Sequence, residues 1–167
     1  ARTGNPPAKG CQDERPYLWF SLTLIRAGLA LRPRPPSKGD HMPNLWYQRY
    51  PLRISAEQAI MREVYPQFIL KIDDQRLLFW DGILKTNFNT HYQVNIHYPQ
   101  AYPWEKPKLF IVDPALHQDA PHRYLDGALC IYPVNWNHKQ ATAPAAVPLV
   151  AAWLAMYELF IRTGERW

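Results

Sequence analysis

Cys130 lies in the stretch YLDGALCIYPVNWN, residues 124–137, after the pair Asp126-Gly127 and six residues before Trp136. A lone cysteine is more often a small buried apolar side chain than a nucleophile. Ala128, Leu129 and Ile131 beside it suit that packing role. Against it, an Asp-Gly turn stands upstream and Pro133, Asn135 and Asn137 follow, so the thiol sits on an irregular segment of the kind that displays reactive groups. On these features alone both packing and catalysis stay open. A cysteine hydrolase would add a base for the thiol proton and donors for an oxyanion, and His117, His122 and His138 are the histidines at hand. His117, Asp119, His122, Asp126 and Cys130 could each ligate a metal. Without a Cys-x-x-Cys pair or a His-Glu-x-x-His helix, however, the expectation is no metal.

The composition limits what can surround this segment. The 167 residues amount to one domain with an appendage, 47% hydrophobic and rich in aromatic residues, with seven Trp and ten Tyr. No apolar run reaches the ~18 residues expected of a bilayer-spanning helix. The net charge of +5 is uneven. Residues 1–41 carry seven of the 19 Lys/Arg and three of the 14 Asp/Glu, so residues 42–167 are close to neutral. That balance points away from nucleic acid as the partner of the main domain. Two cysteines, Cys11 and Cys130, do not form a disulfide framework, and the expectation is a free thiol in a reducing cytoplasm. Residues 1–41 read as a basic extension with six prolines, either flexible or upstream of a natural start at Met42. Within it, YLWFSLTLI (17–25) is apolar enough to be a docking segment.

The elements that must hold Cys130 follow from periodicity. Ser55 and Gln58 form a Ser-x-x-Gln capping pair for a helix over 55–64, which stops before Tyr65-Pro66. Strands are expected at 68–72, 76–80, 91–98 and 108–112. The third alternates cleanly, with Tyr92, Val94, Ile96 and Tyr98 facing one way. Short connections favour an antiparallel meander. About thirty residues without periodicity follow Asp113, a length usual for functional loops. A broadly apolar helix over 145–162 closes the domain, with Pro148 in its first turn, two buried stripes, and Thr163-Gly164 as its stop. The class is α+β.

Set together, these motifs resemble the ubiquitin-conjugating enzymes. Residues 98–112, YPQAYPWEKPKLFIV, resemble the family's Tyr-Pro-rich strand and loop, and Trp80-Asp81-Gly82 resembles its Trp-x-Gly. PHRYLDGALC (121–130) resembles the His-Pro-Asn segment that leads through an Asn-Gly or Asp-Gly turn to the catalytic cysteine, and Trp136 matches the tryptophan after it. The segments around Cys130 and over 153–167 are most similar to bacterial ubiquitin-conjugating-like proteins of antiphage islands. These are the modules of CBASS (cyclic-oligonucleotide-based antiphage signalling) and related ubiquitin-like operons.

That resemblance implies a ubiquitin-conjugating-like catalytic domain over 42–167, working as an acyl carrier. Cys130 would take the C terminus of a cGAS-like nucleotidyltransferase or of a ubiquitin-like protein as a thioester and pass it to an amine. A separate activating enzyme is a further expected partner, with no membrane, nucleic acid or cofactor involved. Ala120 occupies the family's histidine position, Pro121 is retained, and His122 stands in place of the asparagine as an oxyanion donor. His138 or Asp126 would prepare the amine, since the acidic residue often found beyond the tryptophan has no clear match. The alternatives are a binding module of the same fold without activity, and a cysteine hydrolase.

Overall fold

The computed structural model describes residues 45–132 and 137–167. The 1–41 extension, with Cys11 and the 17–25 segment, lies outside the described residues, as do Met42, Pro133, Asn135 and Trp136. A single helical turn, α1 (Trp46–Arg49), leads into α2 (Pro51–Val64). Four strands follow, β1 (Phe68–Ile72), β2 (Leu78–Lys85), β3 (His91–His97) and β4 (Lys108–Asp113), and α3 (Ala143–Thr163) comes last. The strands form one antiparallel sheet in chain order, so the expected α+β meander is present.

Several boundaries differ from expectation, each for a local reason. Helix α2 starts at Pro51 rather than Ser55, because proline is pre-organised for the first helical position and loses no hydrogen bond there. Ser55 is consequently an exposed mid-helix residue. Strand β2 begins at Leu78, after Arg76 adopts φ 64° and Asp73 Oδ1 accepts from the Gln75 and Leu77 amides. It then runs on through Gly82 to Lys85. Helix α3 begins at Ala143, where the Thr142 hydroxyl accepts from the Ala145 amide at 3.3 Å. Pro148 is therefore inside the helix, not in its first turn.

The expected alternation on β3 holds. Tyr92, Val94, Ile96 and Tyr98 are buried, while Gln93, Asn95 and His97 lie on the other face. The register puts Trp80 beside Ile96 and Gly82 beside Val94, giving the sheet one continuous apolar face. Helices α2 and α3 cover it through Ile54, Met61, Val147, Val150, Trp153 and Leu154. Only one side of α3 is packed. Met156, Leu159 and Ile161 are exposed, which corrects the expectation of two buried stripes. By length and composition α3 is apolar enough to cross a bilayer, which the run-length reading did not anticipate. Here it is a core helix carrying the fully buried Glu158, whose carboxylate accepts from Thr86, Tyr92 and Arg162.

A second buried carboxylate, Glu57, joins the elements that flank the long loop. It accepts from the hydroxyls of Tyr98 (2.7 Å) and Tyr102, from the Ala143 amide at the start of α3 (2.9 Å), and pairs with Arg53. Trp46, 1% exposed, packs its ring against Tyr98 and Tyr102 at 4.8 and 4.6 Å. The loop from Asp113 to Thr142 thus leaves from β4 and returns to a helix end fixed by Glu57.

Candidate active site

The Asp126-Gly127 pair folds residues 122–130 into a miniature hairpin. The Gly127 amide donates to the Tyr124 carbonyl at 3.0 Å, and the Tyr124 amide to the Ala128 carbonyl at 2.8 Å. Arg123 and Leu129 form the next bridge. Gly127 sits at φ 85°, a left-handed conformation that favours glycine. Asp126 Oδ1 accepts from the Ala128 amide at 3.1 Å, the local turn contact available to aspartate. The Asp-Gly turn expected from the sequence is present. Leu125 at the tip is 95% exposed.

This hairpin brings Cys130 opposite His122, and the Cys130 amide donates to the His122 carbonyl at 2.8 Å. On the other side the Leu129 amide donates to Leu109 of β4 at 2.8 Å, anchoring the segment to the sheet. His122 has φ 55°, unusual for a residue with a side chain and typical of functional sites. Its ring nitrogen Nε2 lies 3.0 Å from the backbone oxygen of Trp167. Of the candidate catalytic residues Cys130, His122, His138 and Asp126, the structure joins the first two directly.

Asp126 and His138 are engaged elsewhere. Asp126 pairs with Lys108 of β4 at 2.7 Å, and that hydrogen bond, with the one from Ala128, holds its carboxyl below the usual carboxylate range. His138 packs its ring on Trp104 at 4.6 Å, and its carbonyl accepts from Arg53 at 3.0 Å. His117 and Asp119 contact each other, with the Asp119 amide donating to His117 Nδ1 at 3.3 Å. The five potential ligands are therefore distributed over separate partnerships, and among the described residues no group of three could hold a metal. Tyr124 is 40% exposed, with Lys106 Nζ 5.9 Å from its ring centroid.

Cys130 is disulfide-bonded here, which corrects the expectation of a free thiol. A disulfide sulfur has no thiolate to attack an acyl carbon, so nucleophilic chemistry at Cys130 requires prior reduction.

Two residues that matter to this geometry had no sequence signal. Trp167 follows the Gly164 helix stop and gives no hint of contacting His122. Glu57 reads as an ordinary helical glutamate until the fold surrounds it with tyrosines.

The comparisons with known proteins agree with the motifs. A ubiquitin-conjugating enzyme E2 of African swine fever virus is 36% identical over 101 residues, 56% of this chain and 45% of the viral protein. The chain thus spans about half the length of that relative. A ubiquitin-conjugating enzyme E2 from Plasmodium falciparum overlays with a TM-score of 0.45 at 20% identity, covering 62% of this chain and 96% of the other. The Plasmodium vivax ubiquitin-conjugating enzyme E2 gives 0.45 and 20%, covering 61% and 98%. Residues 57–167, from the buried Glu57 to the His122-bound Trp167, match the profile of a family described as Type II CBASS E2 protein, and the chain belongs to that family.

Proposed function

We propose that this protein is a cysteine acyl carrier of the ubiquitin-conjugating type, with Cys130 in reduced form as the nucleophile. The carbonyl carbon of an incoming protein thioester bonds to the Cys130 sulfur, and the donor sulfur leaves. An amine then attacks the new thioester, losing a proton as the Cys130 thiolate departs. The cargo is a protein C terminus, that of a cGAS-like nucleotidyltransferase or a ubiquitin-like protein, delivered by an activating enzyme. The setting is the cytoplasm of a bacterium defending against phage. Neither step calls for a metal or an organic cofactor.

The observation that carries this reading is the hairpin pairing of Cys130 with His122, in a chain of the Type II CBASS E2 family. His122 donates an imidazole N–H to the oxyanion, the charge that a fixed donor stabilises best. Asp126, a carboxylate held ionised by Lys108, attracts the incoming ammonium at the hairpin, and His138 is a second group for preparing the amine.

The test is a trap with wild type, Cys130→Ala and Cys130→Ser, each reduced and then freed of reductant before exposure to the neighbouring operon proteins. Intact mass should show a thiol-cleavable adduct on wild type, none on Ala, and a thiol-resistant ester on Ser. An Ala variant that binds and protects as well as wild type would identify a binding module instead. Turnover of a small thioester without any protein acceptor would identify a hydrolase.

A further inference from the structure

Lys106 stands in the connection between β3 and β4, a segment held by its own turns. The Tyr102 amide donates to the Pro99 carbonyl at 3.0 Å, and the Trp104 amide to the Ala101 carbonyl at 2.8 Å. From there the Lys106 ammonium reaches the active-site hairpin. Its Nζ lies 5.9 Å from the centroid of the Tyr124 ring and 5.2 Å from that of Tyr132, within the range at which a ring face attracts a cation. The Tyr124 amide pairs with Ala128 and the Cys130 amide with His122, on either side of the Arg123–Leu129 bridge. Successive strand residues face alternate ways, so His122, Tyr124, Ala128 and Cys130 share one face of the hairpin. Tyr132 follows Cys130 by two residues. One ammonium therefore meets two rings that bracket Cys130, the first of them on the cysteine's own face.

The other charged groups around the hairpin are engaged with one another or turned away. Lys108 pairs with Asp126 at 2.7 Å, and His117 contacts Asp119. Arg123 alternates to the opposite face and donates to the His117 carbonyl at 3.4 Å. His122 shares the face of Cys130, while His138 packs on Trp104 in the loop that carries Lys106. Burial, and then the charge of Glu57, push the Tyr132 hydroxyl up, so it stays neutral. Pro133, Val134, Asn135 and Trp136, next in the chain, have no ionisable side chain. Glu105 is exposed, and among the described residues no carboxylate pairs with Lys106.

We propose that Lys106 is the counter-charge of Cys130: in the reduced protein its ammonium favours the thiolate over the thiol. The thiol proton passes to water, and the anion left behind is stabilised by the fixed positive charge. A thiol of lower pKa is also the better leaving group, so one residue serves both the loading and the discharge of a thioester. The inference rests on the reading of Cys130 as the acyl carrier and adds the group that ionises it.

Alkylation of Cys130 by iodoacetamide, followed against pH in the reduced full chain through the mass of the peptide holding residue 130, reads this ionisation with no acyl donor present. Lys106→Gln should move the midpoint of the profile up by roughly 0.5 to 1.5 pH units. Lys106→Met, which keeps an apolar stem against the rings, should move it as far, and Lys106→Arg should hold it near wild type. In wild type the midpoint should rise with added salt, a measurement that needs no variant to fold. An unmoved profile in Lys106→Gln, a Lys106→Arg profile displaced as far as that of Gln, or a wild-type midpoint indifferent to salt overturns the proposal. Thioester loading tests the consequence. At neutral pH Lys106→Gln should load roughly 2- to 5-fold more slowly than wild type, and match it by about pH 10, where either thiol is ionised. A deficit that persists there overturns the electrostatic role. Failure of wild type to load at any pH overturns the acyl-carrier reading, and the alkylation profiles still decide Lys106.

Discussion

A cysteine attacks an acyl carbon only as a thiolate, and the structure holds Cys130 in a disulfide. Thioester formation should therefore be absent from chain kept oxidised throughout, and appear once it is reduced and desalted. Intact mass before and after reduction checks this, and equal loading of both forms would remove Cys130 from the role. At this scale the sequence was informative about types and poor about partners. Gly127 was legible because an Asp-Gly pair has a restricted set of uses, and the φ of 85° bears that out. The contact between His122 and Trp167 was not legible, since 45 residues separate them and nothing in either residue type specifies the other.

Gly82 shows how an element depends on one missing methyl group. A Cβ built there would lie 2.5 Å from two carbons of the Phe68 ring, on the paired strand β1. Phe68 is buried, so its ring has little room to retreat. Gly82→Ala should lower stability by about 1–3 kcal/mol through overpacking, seen as a fall in the urea midpoint with an unchanged slope. No change in midpoint would mean that β1 shifts freely. Strands were the most legible elements, because period-two alternation is imposed directly by a half-buried sheet, as Tyr92, Val94 and Ile96 show. Helix starts were less so. The Ser55 and Gln58 capping pair was a plausible local signal, but Pro51 precedes it and, pre-organised for the first helical position, takes the start. The inner position of Pro148 and the bare flank of α3 depend on neighbours that periodicity cannot see.

Across the whole molecule, buried acids and tyrosines bound the pH range of stability. Burial would raise the Glu158 carboxyl, but hydrogen bonds from Thr86, Thr90, Tyr92 and Arg162 outweigh it and leave it below its usual range. Its stabilisation is complete above the ordinary glutamate value of about 4.3 and is lost as pH falls through the lower folded value. Tyr92, Tyr98 and Tyr102 are pushed up, first by burial and then by Glu158 or Glu57. Their contribution is intact below the ordinary tyrosine value of about 10 and declines as pH rises past it. Melting temperature should therefore fall on both sides, in acid below about pH 4.3 and in alkali above about pH 10. Glu158→Ala should cost about 1–3 kcal/mol at neutral pH by orphaning the buried Tyr92 hydroxyl. It should also flatten the acid limb. An acid limb as steep as that of wild type would assign the acid sensitivity to other carboxylates. Neither buried acid was legible in advance, because a glutamate on a helix reads as solvent-facing until tertiary packing encloses it.

The Glu57 carboxylate has a kinetic corollary. It receives the first amide of α3 while fixed to α2 and to two tyrosines beyond β3, so the Ala143 N–H is released only when three separate parts of the chain come apart together. Deuterium should enter that amide at the rate of global unfolding, slower than at a helix start of ordinary fraying. A single peptide spanning residue 143 would then report, by mass alone, whether a cargo or partner tightens the entire domain or only the hairpin.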